Sequence, residues 1–191
     1  MKQFELVGTP KTVFSSTMLD AVKGNIKDSK SIIMVTGFLT EDGWNLIHDD
    51  IAAAIKRKCK VKLFSDSKPL NTDYSLLQRL NKELNKKGKR FYGMVFESEK
   101  IKKLHAKFFV FEKEDGIVVI ITSSNITYPA FSSNLELGIK LTVDKEDKFY
   151  RNITRVIEDI EDNSREPAKE EYSSYLASKE EIEKARAEML L

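Results

Sequence analysis

Short apolar, β-prone runs recur at 31–39, 60–64, 90–96, 105–111, 117–121 and 135–143, each closed off by Gly, Asp, Ser or Lys. They predict six strands. Between them the apolar positions fall into a helical rhythm. Residues 16–26 form one such stretch, 41–57 sets Trp44, Ile47, Ile51 and Ile55 on one face, and 73–87 does the same with Leu76, Leu77, Leu80 and Leu84. Strands alternating with amphipathic helices imply an α/β layer protein. The Asp115-Gly116 step between two of the runs is a hairpin signal, so that pair is expected to be antiparallel and the sheet mixed.

A further helix is expected over 145–162, after which Asn163-Ser164-Arg165-Glu166-Pro167 reads as a break. The division is therefore a main domain over 1–162 and a charged linker with a C-terminal helix over 163–191. Tyr172, Tyr175, Leu176, Ile182 and Met189 in the latter suit an exposed or partner-facing helix.

A chain of 191 residues, 41% hydrophobic and 32% charged, has enough apolar material for one core and too little length for two comfortable domains. Its single cysteine, Cys59, excludes an internal disulfide and a Cys-rich zinc site, which fits a reducing compartment. No apolar run follows the N-terminus and none approaches the roughly 18 residues of a membrane span, so a cytoplasmic protein without membrane attachment is expected. The formal charge of +2 conceals an asymmetry: nine acids against five bases fall from Glu161 onward. The body is thus about +6 and the tail about −4. A basic body suits a polyanion such as nucleic acid; a solvated lysine surface accounts for the charge equally well.

The chemistry concentrates in Leu104-His105-Ala106-Lys107, then Ile121-Thr122-Ser123-Ser124-Asn125, then Asn134-Leu135-Glu136. With His105 opening a strand, His105 and Lys107 would share a face and could touch one phosphate. Asn125 and Ser123, returning across the hairpin, would offer an amide and a hydroxyl to phosphate oxygens. Glu136 on a further strand could hydrogen-bond one imidazole nitrogen and leave the other free to attack, making His105 a candidate nucleophile. Singly, each residue has an ordinary structural reading: a hydrogen-bonded histidine, a solvated lysine, a helix-capping asparagine, a surface glutamate. Together and in this order they point to a site.

The pattern resembles the phospholipase D superfamily, whose motif is His-x-Lys, then a Gly/Thr-Ser-x-Asn turn, then a downstream Glu. Within it, the segments around His105, Asn125 and Phe131-Ser132-Ser133-Asn134-Leu135-Glu136 look most like the BfiI-type and NgoFVII-type restriction endonucleases. The resemblance implies a mixed sheet sandwiched by helices (α/β/α), a nuclease with no metal or other cofactor, and a phosphohistidine intermediate. It assigns catalysis to His105, Lys107, Asn125, Glu136 and Ser123, and substrate contacts to Ser124 and the basic rim Lys100, Lys102 and Lys103. Two positions depart from it: Glu112 stands where the superfamily often has Asp, and Thr122 where it often has Gly.

Such a reaction needs a second histidine, and His48, followed two residues later by Asp50, does not supply a second His-x-Lys. A homodimer sharing one site would. The expected partners are DNA, or RNA, a second copy of the chain, and a DNA-recognition or helicase domain or subunit in a restriction or DNA-defence setting. Two alternatives differ in class. A lipid phosphodiesterase would call for two His-x-Lys motifs or a membrane-binding surface, neither visible here; a catalytically silent nucleic-acid-binding or assembly module would keep the fold without turnover. The acidic tail reads as a helical linker, a dimerisation helix or a DNA mimic.

Overall fold

The computed structural model describes residues 3–14, 16–68 and 71–168, together with Ala177, Glu180 and Glu181. One eight-stranded sheet runs through it. Its strands are β1 (Gln3–Thr9), β2 (Ser31–Thr36), β3 (Lys60–Asp66), β4 (Phe91–Phe96), β5 (Phe108–Glu112), β6 (Ile117–Thr122), β7 (Glu136–Val143) and β8 (Ser164–Arg165). The order across the sheet is β1-β7-β6-β5-β2-β3-β4-β8. β2, β3 and β4 are parallel and every other pairing is antiparallel, so the sheet is mixed as expected.

Alternation along the strands builds two cores. Ile32, Met34, Val61, Leu63, Phe109, Phe111 and Ile120 point to the face covered by helices α1 (Met18–Ile26), α2 (Glu41–Asn45), α3 (His48–Lys56), α4 (Tyr74–Leu84) and α5 (Tyr128–Ser132). Val35, Phe64, Phe108, Val110 and Val119 point the other way, onto Ile157 and Ile160 of α6 (Lys148–Asp162). Caps fix where helices begin: the side chains of Thr17, Asp73 and Asp147 accept from the backbone N–H of Asp20, Leu76 and Phe149. The α/β/α arrangement is the expected one.

Four expectations are corrected. The helix expected over 41–57 is two helices, because the chain turns at Leu46–Ile47; Ile47 has φ −120° and ψ −5°, and the Trp44 indole N–H donates to His48 Nδ1 across the turn at 2.9 Å. Strand β1 and helix α5 were not anticipated. β1 has two of its large apolar side chains, Phe4 and Leu6, on an open face, which spoils the burial signal. The break at 163–167 contains β8, so two residues of the expected linker belong to the sheet. Last, the run at 105–111 pairs only from Phe108 onward. The helix expected further along the tail lies outside the described residues, apart from Ala177, Glu180 and Glu181.

The Asp115-Gly116 hairpin forms as expected, with Gly116 at φ +154° and the Lys113 N–H bonded to its carbonyl. At the far end of β5, the Tyr150 hydroxyl donates to Glu112 at 2.8 Å. Glu112 thus ties α6 to the sheet at the end opposite His105. No helix among the described residues is long and apolar enough to cross a membrane.

Candidate active site

The carboxyl ends of β2 and β3, the start of β5 and the ends of β6 and the β6–α5 loop meet at one edge of the sheet. Residues 103–107 cross this edge without strand structure. Two bonds hold their ends: the Leu104 N–H donates to Asp66 Oδ1 at 3.0 Å, and the Lys107 carbonyl accepts from the Thr122 N–H at 3.1 Å. Asp66 is buried, and its other oxygen accepts from Asn71 Nδ2 at 2.8 Å. His105 and Lys107 therefore precede the strand rather than open it, because β2, the partner of β5, ends at Thr36.

The two side chains nevertheless converge. Lys107 Nζ lies 3.3 Å from His105 Nδ1 and donates to the His105 carbonyl at 2.7 Å. The Lys107 ammonium, partial burial and Lys103 all hold the His105 imidazolium pKa below its ordinary value, against the opposing pull of Asp66. Lys107 is itself lowered, first by burial and then by Lys103, with Glu136 opposing. The His105 shift favours a neutral, nucleophilic imidazole, while the Lys107 shift works against its own charge and is opposed by Glu136.

Asn125 joins them through its amide oxygen, which accepts from the Phe38 N–H at 2.9 Å with the Thr36 hydroxyl 3.4 Å away. Locking the oxygen leaves the NH2 group as the free, donating end. The turn at Gly37 makes this possible. A Cβ there would sit 3.2 Å from the Leu104 carbonyl oxygen and 3.4 Å from both Asn125 Oδ1 and His105 Nδ1. A side chain at 37 would press on the Leu104 carbonyl and come into contact with Asn125 and His105.

Glu136 does not bond His105. Its carboxylate accepts from the Ser123 hydroxyl and from Asn134 Nδ2 at 3.2 Å, while the Leu137 N–H donates to Ser123 Oγ at 3.1 Å. Ser123 and Glu136 thus form a hydrogen-bonded pair next to the site, coupled to it by the field of the carboxylate on Lys107. Ser124 is buried and its hydroxyl has no partner among the described residues, so it does not share the open rim. Lys100, Lys102 and Lys103 are exposed. His48 is occupied by Trp44, away from the cluster.

Gly37 and Asp66 escaped the sequence reading. Gly37 follows the end of β2 and Asp66 ends β3, with no motif around either, and only the sheet order places them beside His105. Among the described residues, no group of three or more His, Cys, Asp or Glu side chains is arranged to hold a metal ion.

The same architecture occurs in known structures. NucT from Helicobacter pylori is 16% identical, with a TM-score of 0.66, over 87% of this chain and 100% of its own. Nuc from Salmonella typhimurium, a phospholipase D family member, is 19% identical, with a TM-score of 0.64, over 87% and 99%. The phosphatidylserine synthase of Haemophilus influenzae Rd KW20, 10% identical, matches with a TM-score of 0.68 over 99% of this chain and 46% of its own. No curated protein matches the sequence. The family described as cardiolipin synthase, PLD-like domain, matches residues 22–160, well over half of the chain. The match covers nearly the whole of the sheet, from β2 to β7, and the chain belongs to this phospholipase D-like family.

Proposed function

We propose that the chain is a phosphodiesterase that hydrolyses nucleic-acid backbones, DNA foremost, as a metal-independent endonuclease. The observation that carries this reading is the Lys107 ammonium 3.3 Å from a His105 ring held neutral, next to an Asn125 amide whose oxygen is already engaged. A phosphate entering the site draws the Lys107 ammonium and the Asn125 NH2 to its oxygens and frees the imidazole. A neutral His105 nitrogen then attacks phosphorus, the P–O bond to the leaving strand breaks, and a second histidine, in its protonated imidazolium form, gives its proton to that oxygen. Water then attacks the phosphohistidine and loses a proton to the second histidine, the P–N bond breaks, and the phosphate end, the first imidazole and the second imidazolium are restored.

The second histidine comes from a second copy. Ile121, Leu135, Leu137 and Ile139 are exposed beside Ser123 and Glu136, on the part of the sheet that α6 leaves bare, and Phe4 and Leu6 of β1 extend the patch. An apolar surface continuous with a half-built site fits an isologous interface. Two Lys107 and two Asn125 would then surround one phosphate and supply the charge that a metal supplies elsewhere. The exposed Lys100, Lys102 and Lys103 steer the backbone inward. The cluster reads no bases, so a restriction or DNA-defence role of the BfiI or NgoFVII kind would draw its specificity from another domain or subunit.

The absence of a Glu136–His105 bond favours a second reading, a silent nucleic-acid-binding module. Cleavage of plasmid and single-stranded DNA in excess EDTA, by the native chain and His105→Ala, separates the two when light scattering records the oligomeric state. A dimer that cuts under chelation and loses cutting with His105→Ala supports the nuclease; a folded dimer that binds DNA without cutting supports the module.

A further inference from the structure

We propose that Lys58, Lys60, Lys86 and Lys87 form a second contact surface for a nucleic-acid backbone, at the pole of the sheet opposite the active site. The inference rests on the reading of the chain as a nucleic-acid enzyme and adds a partner contact outside its reaction centre.

Parallel pairing of β3 with β4 sets Val61 against Phe91, which merges two basic clusters about 30 positions apart in sequence. The Arg90 guanidinium donates to the Lys58 carbonyl at 3.0 Å and staples them. Lys58, Lys60, Lys86 and Lys87 are exposed and have no ion pair among the described residues. Several acids at this end of the sheet are taken elsewhere, Asp28 by Lys113, Glu114 by Lys30 and Glu112 by Tyr150, and the exposed Glu83 offsets one charge beside Lys86. Glu166 pairs with Lys89. A positive field is left on the β3–β4 side.

Helix dipoles account for it only in part. They favour cations in a helix's last turn, whereas Lys58 and Lys60 lie beyond the end of α3, and Lys86 and Lys87 beyond the end of α4. Lys58 has φ +74°, the left-handed conformation in which glycine ordinarily ends a helix. Its N–H bonds the Ile55 carbonyl at 2.9 Å, a function glycine would serve with less strain. The lysine side chain is therefore not explained by the cap. Tyr92 lies among these cations, with Lys60 Nζ and Lys89 Nζ each 5.2 Å from its ring centroid, which combines charge with an aromatic face as single-strand-binding surfaces do.

β3 runs seven residues from this pole to Asp66 at the active site, a span of about 20 Å. A long strand can reach both surfaces, and a small phosphodiester only the site.

The test uses the full chain. In a His105→Ala background, Lys58→Gly, Lys60→Gln, Lys86→Gln and Lys87→Gln are combined, and binding of a labelled strand of about 30 nucleotides is followed by anisotropy across a salt series. Affinity should fall at least about tenfold at low salt and the log–log salt slope should shrink by about 3. With His105 intact, turnover of bis(p-nitrophenyl) phosphate should stay at the parent rate. Arginine at 60, 86 and 87 should restore binding. Unchanged affinity and slope, in a parent that binds the strand, would overturn the second surface and leave the active-site reading standing. A parent that does not bind the strand overturns the nucleic-acid reading itself, and a variant that loses only anionic vesicles assigns the pole to membranes instead.

Discussion

At the scale of single residues, the charges around His105 set its proton affinity. Lys107 and Lys103 push the imidazolium pKa down and Asp66 pushes it up. Followed by NMR, the His105 ring should titrate below the ordinary histidine range. Lys107→Met should move it upward, by removing the largest depressing charge, and Asp66→Asn downward. The acidic limb of the cleavage rate should follow the ring: the neutral nucleophile is lost as pH falls through this lowered pKa, so activity persists to more acidic pH than a free imidazole would allow. Movement of the ring in the reverse directions would refute this account. Gly37 bears on geometry. Gly37→Ala presses on the Leu104 carbonyl, next to His105 in the chain, and fills the space against Asn125 and His105, and misplacement of about 1 Å can cost about 100-fold in rate. A loss of kcat of at least about tenfold, with the melting temperature nearly unchanged, is expected.

At the scale of elements, the bond between Tyr150 of α6 and Glu112 of β5 separates stability from chemistry. Burial and the neighbouring carboxylate push the Tyr150 phenol up to about 12, so it donates at every pH of interest. Glu112 points at α6 from the end of β5 opposite His105. Tyr150→Phe removes the donor from a half-buried carboxylate and should cost about 1–3 kcal/mol in denaturant unfolding. Turnover per folded molecule should be preserved. A selective loss of turnover would give Glu112 a part in catalysis after all.

At the scale of the whole molecule, the α6 core takes in Ile117, Val119 and Val143 at one end of β6 and β7 and leaves the other end, with Ile121, Leu137 and Ile139, and Phe4 and Leu6 of β1, open. Leu137 and Ile139 lie at the centre of that opening, exposed and close to Glu136. Their side chains contribute little to either core, so Leu137→Glu with Ile139→Glu should leave the fold intact. In the dimeric reading the pair of substitutions should yield monomers in sedimentation and abolish cleavage, while nucleic-acid binding at the lysine surfaces survives in weakened form. Full cleavage by a monomer would show that one chain carries a complete site.

The sequence by itself determined the α/β alternation, the β5–β6 hairpin and the grouping of His105, Lys107 and Asn125, because each rests on local information: period, turn chemistry, and spacing within one hairpin. Tertiary structure decided the rest. Gly37 and Asp66 reach the His105 segment through the neighbouring strands β2 and β3, a proximity that no spacing along the chain encodes. Glu136 turns to Ser123 and Asn134 because β7 pairs next to β6 and sets these groups side by side, and Ser124 is buried by packing that its polarity does not foretell. The two lysine clusters become one surface only because β3 and β4 lie parallel. Non-local pairing of this kind is set by the summed burial of two cores, which individual residues do not announce.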